Sequence, residues 1–163
     1  MIVIINGAPG AGKTKTAKYL FESTDKSALI DGDWLLAINP EDRKEKRHLR
    51  YKNIAAIARN YCEAGFTNIF ISFVYIRSED LLEQINLLKD LGEVLVFALI
   101  PNEEVLRKRH TEDTYKREEI ESSVKLNNKI NELGNIEKID NSNLSIEEVS
   151  KIIKDKISIA YVE

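Results

Sequence analysis

Short apolar runs rich in branched residues alternate along this chain with longer stretches in which apolar residues recur at helical spacing. The runs are Ile2 to Ile5, Ala28 to Ile30, Ile69 to Val74, Val94 to Ile100 and Ile136 to Ile139. Runs of this kind, separated by helical patterns, predict a parallel sheet buried on both faces. Between them, Ala17, Leu20 and Phe21 share one helical face. So do Ile54, Ile57, Ala58 and Tyr61, within a stretch from Glu41 to Gly65 that is long for one helix and is expected to break near His48. Ser78 is placed to cap a helix that turns Leu81, Leu82, Ile85, Leu88 and Leu91 inward and ends at Gly92. Pro101 and Asn102 introduce another helix, from about Glu103 to Arg109. Ser145-Ile146-Glu147-Glu148 reads as a capping box that opens a last helix with Val149, Ile152, Ile153 and Ile157 inward. The sum is a three-layer α/β fold with about five parallel strands.

Composition narrows the class without naming a function. A length of 163 residues, 43% hydrophobic and 31% charged, fits one domain, and no second is expected. The formal net charge of -3 does not suggest a nucleic-acid-binding surface. The single cysteine, Cys62, excludes an internal disulfide, and its place beside Tyr61 on a helix reads as a buried or half-buried thiol rather than a nucleophile. No apolar run approaches ~18 residues, and no basic-then-apolar leader precedes the first strand, so a cytoplasmic protein with no membrane partner is expected.

Directly after the first apolar run stands Gly7-Ala8-Pro9-Gly10-Ala11-Gly12-Lys13-Thr14, which fits the phosphate-cradling pattern G-x-x-x-x-G-K-[ST]. Its glycines let the backbone approach a polyphosphate with N–H groups turned inward. Lys13 then reaches the β- and γ-phosphates, and the Thr14 hydroxyl is placed to ligate magnesium. The helix that begins there, with Lys15 in its first turn, presents its positive end to the anion. The ligand class is a nucleoside triphosphate.

Asp31 and Asp33 follow the second strand, separated by Gly32. In extended chain, residues two apart point the same way, so both carboxylates are expected to face one site beyond the carboxyl ends of the strands. Their mutual repulsion is relieved by a cation or a shared proton, which suits magnesium and an acceptor hydroxyl. The alternative is a simple turn in which one carboxylate caps the next helix.

With the loop at Gly7 to Thr14 and Asp31-Gly32-Asp33 about seventeen residues beyond it, the chain resembles the small P-loop kinases: shikimate kinase, gluconate kinase, adenylylsulfate kinase and chloramphenicol phosphotransferase. The fragment Asp33-Trp34-Leu35-Leu36-Ala37-Ile38-Asn39-Pro40 looks especially like the chloramphenicol phosphotransferase segment that begins with its catalytic aspartate. The resemblance implies one P-loop kinase-like domain over residues 1–163, using ATP and Mg2+, with Asp33 as general base and Asp31 helping to hold the metal through water. It also implies a lid at about 107–118, where Arg109 and Arg117, and then Arg107, close over the triphosphate. Phosphoryl transfer needs such cations when the site closes. A solvated helix pair with Glu104, Glu112, Glu118 and Glu119 as surface partners is the plainer reading of the same charges. Asp140-Asn141-Ser142-Asn143 after the last strand corresponds to the loop that borders the adenine in those kinases, and a plain turn explains its composition equally well.

For the acceptor side, Arg50 with Asn53 extends the buried stripe of Ile54 and Ile57 toward the helix start, a pattern that often looks into a cleft. Arg77 stands just past the third strand, and Trp34 next to Asp33 is expected to flank a substrate ring or to anchor its loop. Arg43 and Arg47 read as a solvated face. His48 and His110 lack a partner at catalytic spacing and are expected at the surface.

These signals point to a kinase that moves the γ-phosphate of ATP to a hydroxyl of an antibiotic, a sugar or a related metabolite. A nucleoside, nucleotide or polynucleotide-end kinase is the alternative within the reaction class, and a non-catalytic ATP-binding module the alternative outside it. The adenylate kinase segment aspartate-glycine-phenylalanine-proline-arginine is missing, Ser72-Phe73-Val74-Tyr75 standing in its place. Asn128-Lys129-Ile130-Asn131 lacks the final aspartate of a guanine-reading motif. No serine-glycine-glycine signature of a transporter ATPase is present.

Overall fold

Strands β1 (Ile2–Gly7), β2 (Ser27–Asp31), β3 (Asn68–Phe73), β4 (Val94–Leu99) and β5 (Glu137–Ile139) pair in parallel to form one sheet in the order β2-β3-β1-β4-β5. The structure is a computed structural model and describes residues 1–36, 43–112, 119–134 and 136–160. Helices α1 (Lys13–Glu22), α2 (Arg43–Glu63), α3 (Ser78–Leu88), α4 (Glu103–Glu112), α5 (Ile120–Asn131) and α6 (Ile146–Ala160) flank the sheet. Among the described residues no helix is long and apolar enough to cross a membrane.

Every residue of β1 is buried, because its alternating side chains meet helices on both faces. Ile2 and Ile4 join Ile69 and Ile71 against Tyr51 and Ile54 of α2 and Leu81 and Leu88 of α3. Val3 and Ile5 join Phe70, Phe97 and Leu99 against Ala17 and Leu20 of α1 and Val149 and Ile153 of α6. Burying each large aliphatic side chain contributes about 1.5–3 kcal/mol. The central strand, and with it the loop that leaves it, therefore has the firmest support in the molecule.

Asn6 ends that strand with a specific device. Its Oδ1 accepts from the Gly7 and Tyr75 amides, both at 2.9 Å, and its Nδ2 donates to the Tyr75 carbonyl at 2.9 Å. The carboxamide thus stands in for one more rung of the ladder past the Asn6–Phe73 register pair. It holds the chain beyond β3 in place while the chain beyond β1 turns away into the loop. Nearby, the Tyr75 hydroxyl donates to Gln84 Oε1 at 3.0 Å, and Gln84 Nε2 donates to the Tyr51 carbonyl at 3.3 Å, so this buried polar group is satisfied. Burial pushes the phenol pKa of both Tyr51 and Tyr75 above the usual range, and both rings stay neutral.

Several local expectations change. Helix α2 runs unbroken through His48, and Ser78 is the first residue of α3, with Arg77 at the cap position and no side-chain cap bond. Leu82 points outward at 58% exposure, whereas Leu81, Gln84 and Leu88 of α3 are buried and Ile85 packs against the same core. The apolar pattern does not announce α5, whose buried face is half polar: Ser123 and Asn127 beside Val124 and Ile130. The capping box at α6 is as expected, with Ser145 N donating to Glu148 Oε2 at 2.8 Å and Glu148 N donating to Ser145 Oγ at 3.2 Å.

Replacing Asn6 with alanine strands the Tyr75 N–H and C=O in a dry interior. Urea unfolding of Asn6→Ala should show a loss of about 2–4 kcal/mol. A loss under about 0.5 kcal/mol, the size of an ordinary surface change, would mean that the carboxamide is not holding the two strand ends.

Candidate active site

Peptide orientation decides what the loop between β1 and α1 can bind. Gly12 occupies the cap position of α1 at φ 102°, and the helix has neither a side-chain cap nor an acidic residue in its first turn. The first helical bond runs from Thr16 N to Gly12 O at 3.0 Å, so the amides of Lys13, Thr14 and Lys15 precede it at the positive end of the helix. Pro9, Gly10, Gly12, Lys13, Thr14, Lys15 and Thr16 line one side of a cleft of about 880 Å³. Such an end is an anion site. Two other amides serve the loop itself: Ala11 N donates to Ala8 O at 3.0 Å, and Gly7 N is held by Asn6. Ala8 and Ala11 are fully buried and pack the loop from beneath.

Amides that face inward require carbonyls that face outward, and two of those carbonyls are gripped from behind. His110 Nε2 donates to Pro9 O at 2.9 Å. Ala11 O accepts from Asn141 Nδ2 at 2.8 Å and from Arg109 at 3.2 Å, while the other arm of Arg109 reaches Asn141 O at 2.9 Å. Helix α4 and the turn after β5 are thereby fastened to the loop. His110, expected at the surface, is fully buried instead. It lies four residues after the buried Leu106 on the same face of α4, and the absence of a side chain at Gly10 makes room for its ring. Arg109 also lines the cleft, and no carboxylate pairs with it among the described residues. Burial draws its pKa below the usual guanidinium range, yet it remains a cation.

The carboxylates stand opposite. Asp31 ends β2 in register with Ser72 of β3, and the Ser72 hydroxyl lies 3.1 Å from the Thr14 hydroxyl at the start of α1. Asp33 does not alternate with Asp31 as in extended chain. The backbone turns through a short 3-10 segment, Gly32–Trp34, and Asp31 Oδ1 caps it by accepting from Asp33 N at 3.1 Å. The turn is tight because a Cβ at Gly32 would lie 2.7 Å from Phe73 Cδ2. It sends Asp33 to the cleft, where Asp33 Oδ2 comes within 3.9 Å of Lys13 Nζ.

The remaining candidate positions divide. Arg107 is turned to the surface by Glu103 and Glu121, at 2.8 and 2.5 Å, instead of reaching the loop. Arg77 is held by Asp80 in a two-pronged pair at 2.7 and 2.5 Å, and Glu79 lies 3.4 Å away. Trp34 neither anchors its loop nor lines the cleft, and stands 87% exposed. Arg50 lies over the ring of Phe73 with 5.1 Å to its centroid. Arg117, and the stretch from Ala37 to Pro40 that carries part of the family likeness, lie outside the described residues. His48 is exposed as expected, paired with Glu83. Cys62 is half-buried. His110, Asn6 and Ser72 are positions that the sequence pattern does not assign to the site, whereas Asn141 falls in the loop that the resemblance sets beside the adenine.

No family model matches the chain, and no curated protein does. Solved structures do. The tunicamycin resistance protein of Deinococcus radiodurans superposes with a TM-score of 0.73 at 20% identity, over 96% of this chain and 94% of that one. A sugar kinase from Janibacter sp. HTCC2649 gives 0.71 at 17% identity, over 98% and 95%. A gluconokinase from Sinorhizobium meliloti 1021 gives 0.65 at 15% identity, over 91% and 86%. The fold is that of the P-loop NTPase kinases.

Gly10 and Gly65 allow a controlled test of the clamp behind the loop. Both have positive φ, 82° and 90°, but a Cβ at Gly10 would lie 2.8 Å from His110 Nε2, whereas one at Gly65 meets nothing within 4 Å. Gly65→Ala should cost about 1–2 kcal/mol from conformation alone. Gly10→Ala should cost about 1–3 kcal/mol more, because it drives His110 off the Pro9 carbonyl. Equal losses in chemical denaturation would mean that the histidine is not seated there.

Proposed function

We propose that this protein is an ATP-dependent kinase that transfers the γ-phosphate to a hydroxyl of a small molecule, acting as a single cytoplasmic domain. The observation that carries the reading is the 3.9 Å approach of Asp33 to Lys13 across the cleft mouth. It joins the phosphate-holding lysine to a carboxylate that is 54% exposed and open to an incoming alcohol. The overall similarity to kinases of a sugar and of gluconate supports the same reaction class.

In this reading the amides of residues 12 to 15 and the Lys13 ammonium hold the β- and γ-phosphates. The Thr14 hydroxyl and, through water, the Asp31 carboxylate would hold magnesium. The neighbouring Thr14 and Ser72 hydroxyls, 3.1 Å apart, are hard oxygen donors of the kind that suits a cation keeping most of its water. A magnesium ion held there would supply positive charge against the negative charge of the terminal phosphates. Asp33 accepts the proton of the acceptor hydroxyl as its oxygen attacks the γ-phosphorus and the bond to the β-phosphate oxygen breaks, releasing ADP. Arg109 faces the cleft, has no paired carboxylate among the described residues and supports the charge that develops on the transferring group. Arg117 is proposed to join it from the lid at 107–118.

Two substitutions separate binding from transfer. Lys13→Ala should weaken MgATP binding in calorimetry by at least roughly tenfold and abolish transfer. Asp33→Asn should keep the MgATP affinity of the parent and lower kcat by about 10²–10⁴ in a coupled ADP-release assay with an accepted hydroxyl substrate. Parental turnover in Asp33→Asn would remove Asp33 from the mechanism.

A further inference from the structure

We propose that the donor site does not read the base, so that GTP, CTP and UTP serve beside ATP. This rests on the kinase reading above and widens its donor from one nucleotide to the nucleoside triphosphates as a class.

Topology locates the base. The strand order β2-β3-β1-β4-β5 sets the loop after β1 in the middle of the carboxyl edge of the sheet. On one side, Asp33 and Val74 follow β2 and β3. On the other, Asn141, Leu144, Ser145, Ile146 and Val149 follow β5, and both groups line the same cleft. In the proposed reaction the terminal phosphate meets the acceptor at Asp33, beside Lys13. A triphosphate held by the amides of residues 12 to 15 then carries its nucleoside the opposite way, to the β5 side.

The polar groups on that side are already engaged. Asn141 Nδ2 donates to Ala11 O at 2.8 Å, and the Asn141 main-chain carbonyl accepts from Arg109 at 2.9 Å. Its Oδ1 is buried, out of reach of a ring that enters from the cleft. Ser145 is closed into the capping box with Glu148 through both its amide and its hydroxyl. Ser142 donates its amide to Asp140 Oδ1 at 2.9 Å, and its hydroxyl accepts from Asn102 N at 2.8 Å. Each of these bonds fastens the turn after β5 to itself, to the phosphate loop or to a helix, and a base that claimed one would have to break it. What the wall offers a ring is apolar surface from Leu144, Ile146 and Val149, of which Ile146 is the most open at 36% exposure.

That chemistry sets the discrimination. A site that hydrogen-bonds a polar edge rejects ligands lacking it by about 10⁴–10⁵, whereas apolar contact separates ligands far less. Every base has a flat face, so contact through the face tolerates all four. Purines, with more area to bury, should lead pyrimidines by a small factor.

The test titrates the parent protein by calorimetry with the magnesium complexes of ATP, GTP, CTP and UTP at one salt concentration. Methyl triphosphate, with the same charged tail and no base, is the control. All four nucleotides should bind within about tenfold of one another, and each at least roughly fivefold tighter than the control. Ile146→Ala, a change at an exposed position checked by its thermal midpoint, should weaken all four alike by roughly 3- to 10-fold and leave methyl triphosphate unchanged. The proposal is overturned if one base leads by more than about tenfold, if the nucleotides bind no tighter than methyl triphosphate, or if Ile146→Ala affects one base alone or none. Phosphate transfer to hydroxyl compounds is followed separately. Even binding of the four with no transfer sinks the kinase reading and leaves the base tolerance standing, whereas transfer from ATP alone does the reverse. If no triphosphate binds, both fall.

Discussion

The orientation of a few peptide groups between Gly7 and Thr14 governs the rest of this molecule. A peptide unit turns as a whole, so an N–H aimed at a phosphate sends its carbonyl the opposite way, and each such carbonyl needs a partner outside the loop. His110 takes Pro9 O, while Asn141 and Arg109 take Ala11 O. Each of these bonds contributes about 0.5–1.5 kcal/mol to stability. Their larger effect is to fix the loop before a ligand arrives, so that binding requires little reorganisation. The glycine that lets His110 approach is the same residue whose positive φ shapes the loop, and one position thereby serves the conformation and the clamp together.

The clamp works only because β1 cannot shift. Its six residues are buried between two helical layers, and Asn6 secures the end of the strand to the chain beyond β3. Sheet, carboxamide and clamp form a continuous path from the core to the loop between β1 and α1. The acidic segment hangs from the neighbouring strand pair, where β2 and β3 bring Asp31 level with Ser72.

The architecture is legible because it is written in period and spacing. Five apolar runs correspond to five strands, and the glycine-lysine-threonine loop falls where a strand meets a helix. The capping box at Ser145 is a local signal and forms as its sequence predicts. The sequence misleads where contacts join segments far apart in the chain. His110 reads as a surface residue because its partner, Pro9, is 101 positions away, although its spacing from Leu106 does mark the inner face of α4. Asp31 and Asp33 read as strand neighbours pointing the same way, but Gly32, which fits tightly against Phe73, bends the chain. Arg107 and Arg77 read as site cations, but Glu121 and Asp80 engage them, a competition that spacing alone does not rank.

The pair between Lys13 and Asp33 shows why one site can both store and release its charges. Lys13 is 9% exposed and Asp33 is 54% exposed, and the 3.9 Å separation is at the outer limit of an ion pair. With one partner largely in water, such a pair contributes on the order of 0–1 kcal/mol. That is enough to hold the lysine near the cleft mouth, where the nearly buried ammonium keeps a counter-charge. It is far less than a polyphosphate offers through several charge-assisted bonds. In the proposed reaction a triphosphate would therefore draw Lys13 away at small cost and free the Asp33 carboxylate to accept the proton of a hydroxyl. A deeper, tighter pair would have stabilised the empty protein at the expense of both roles.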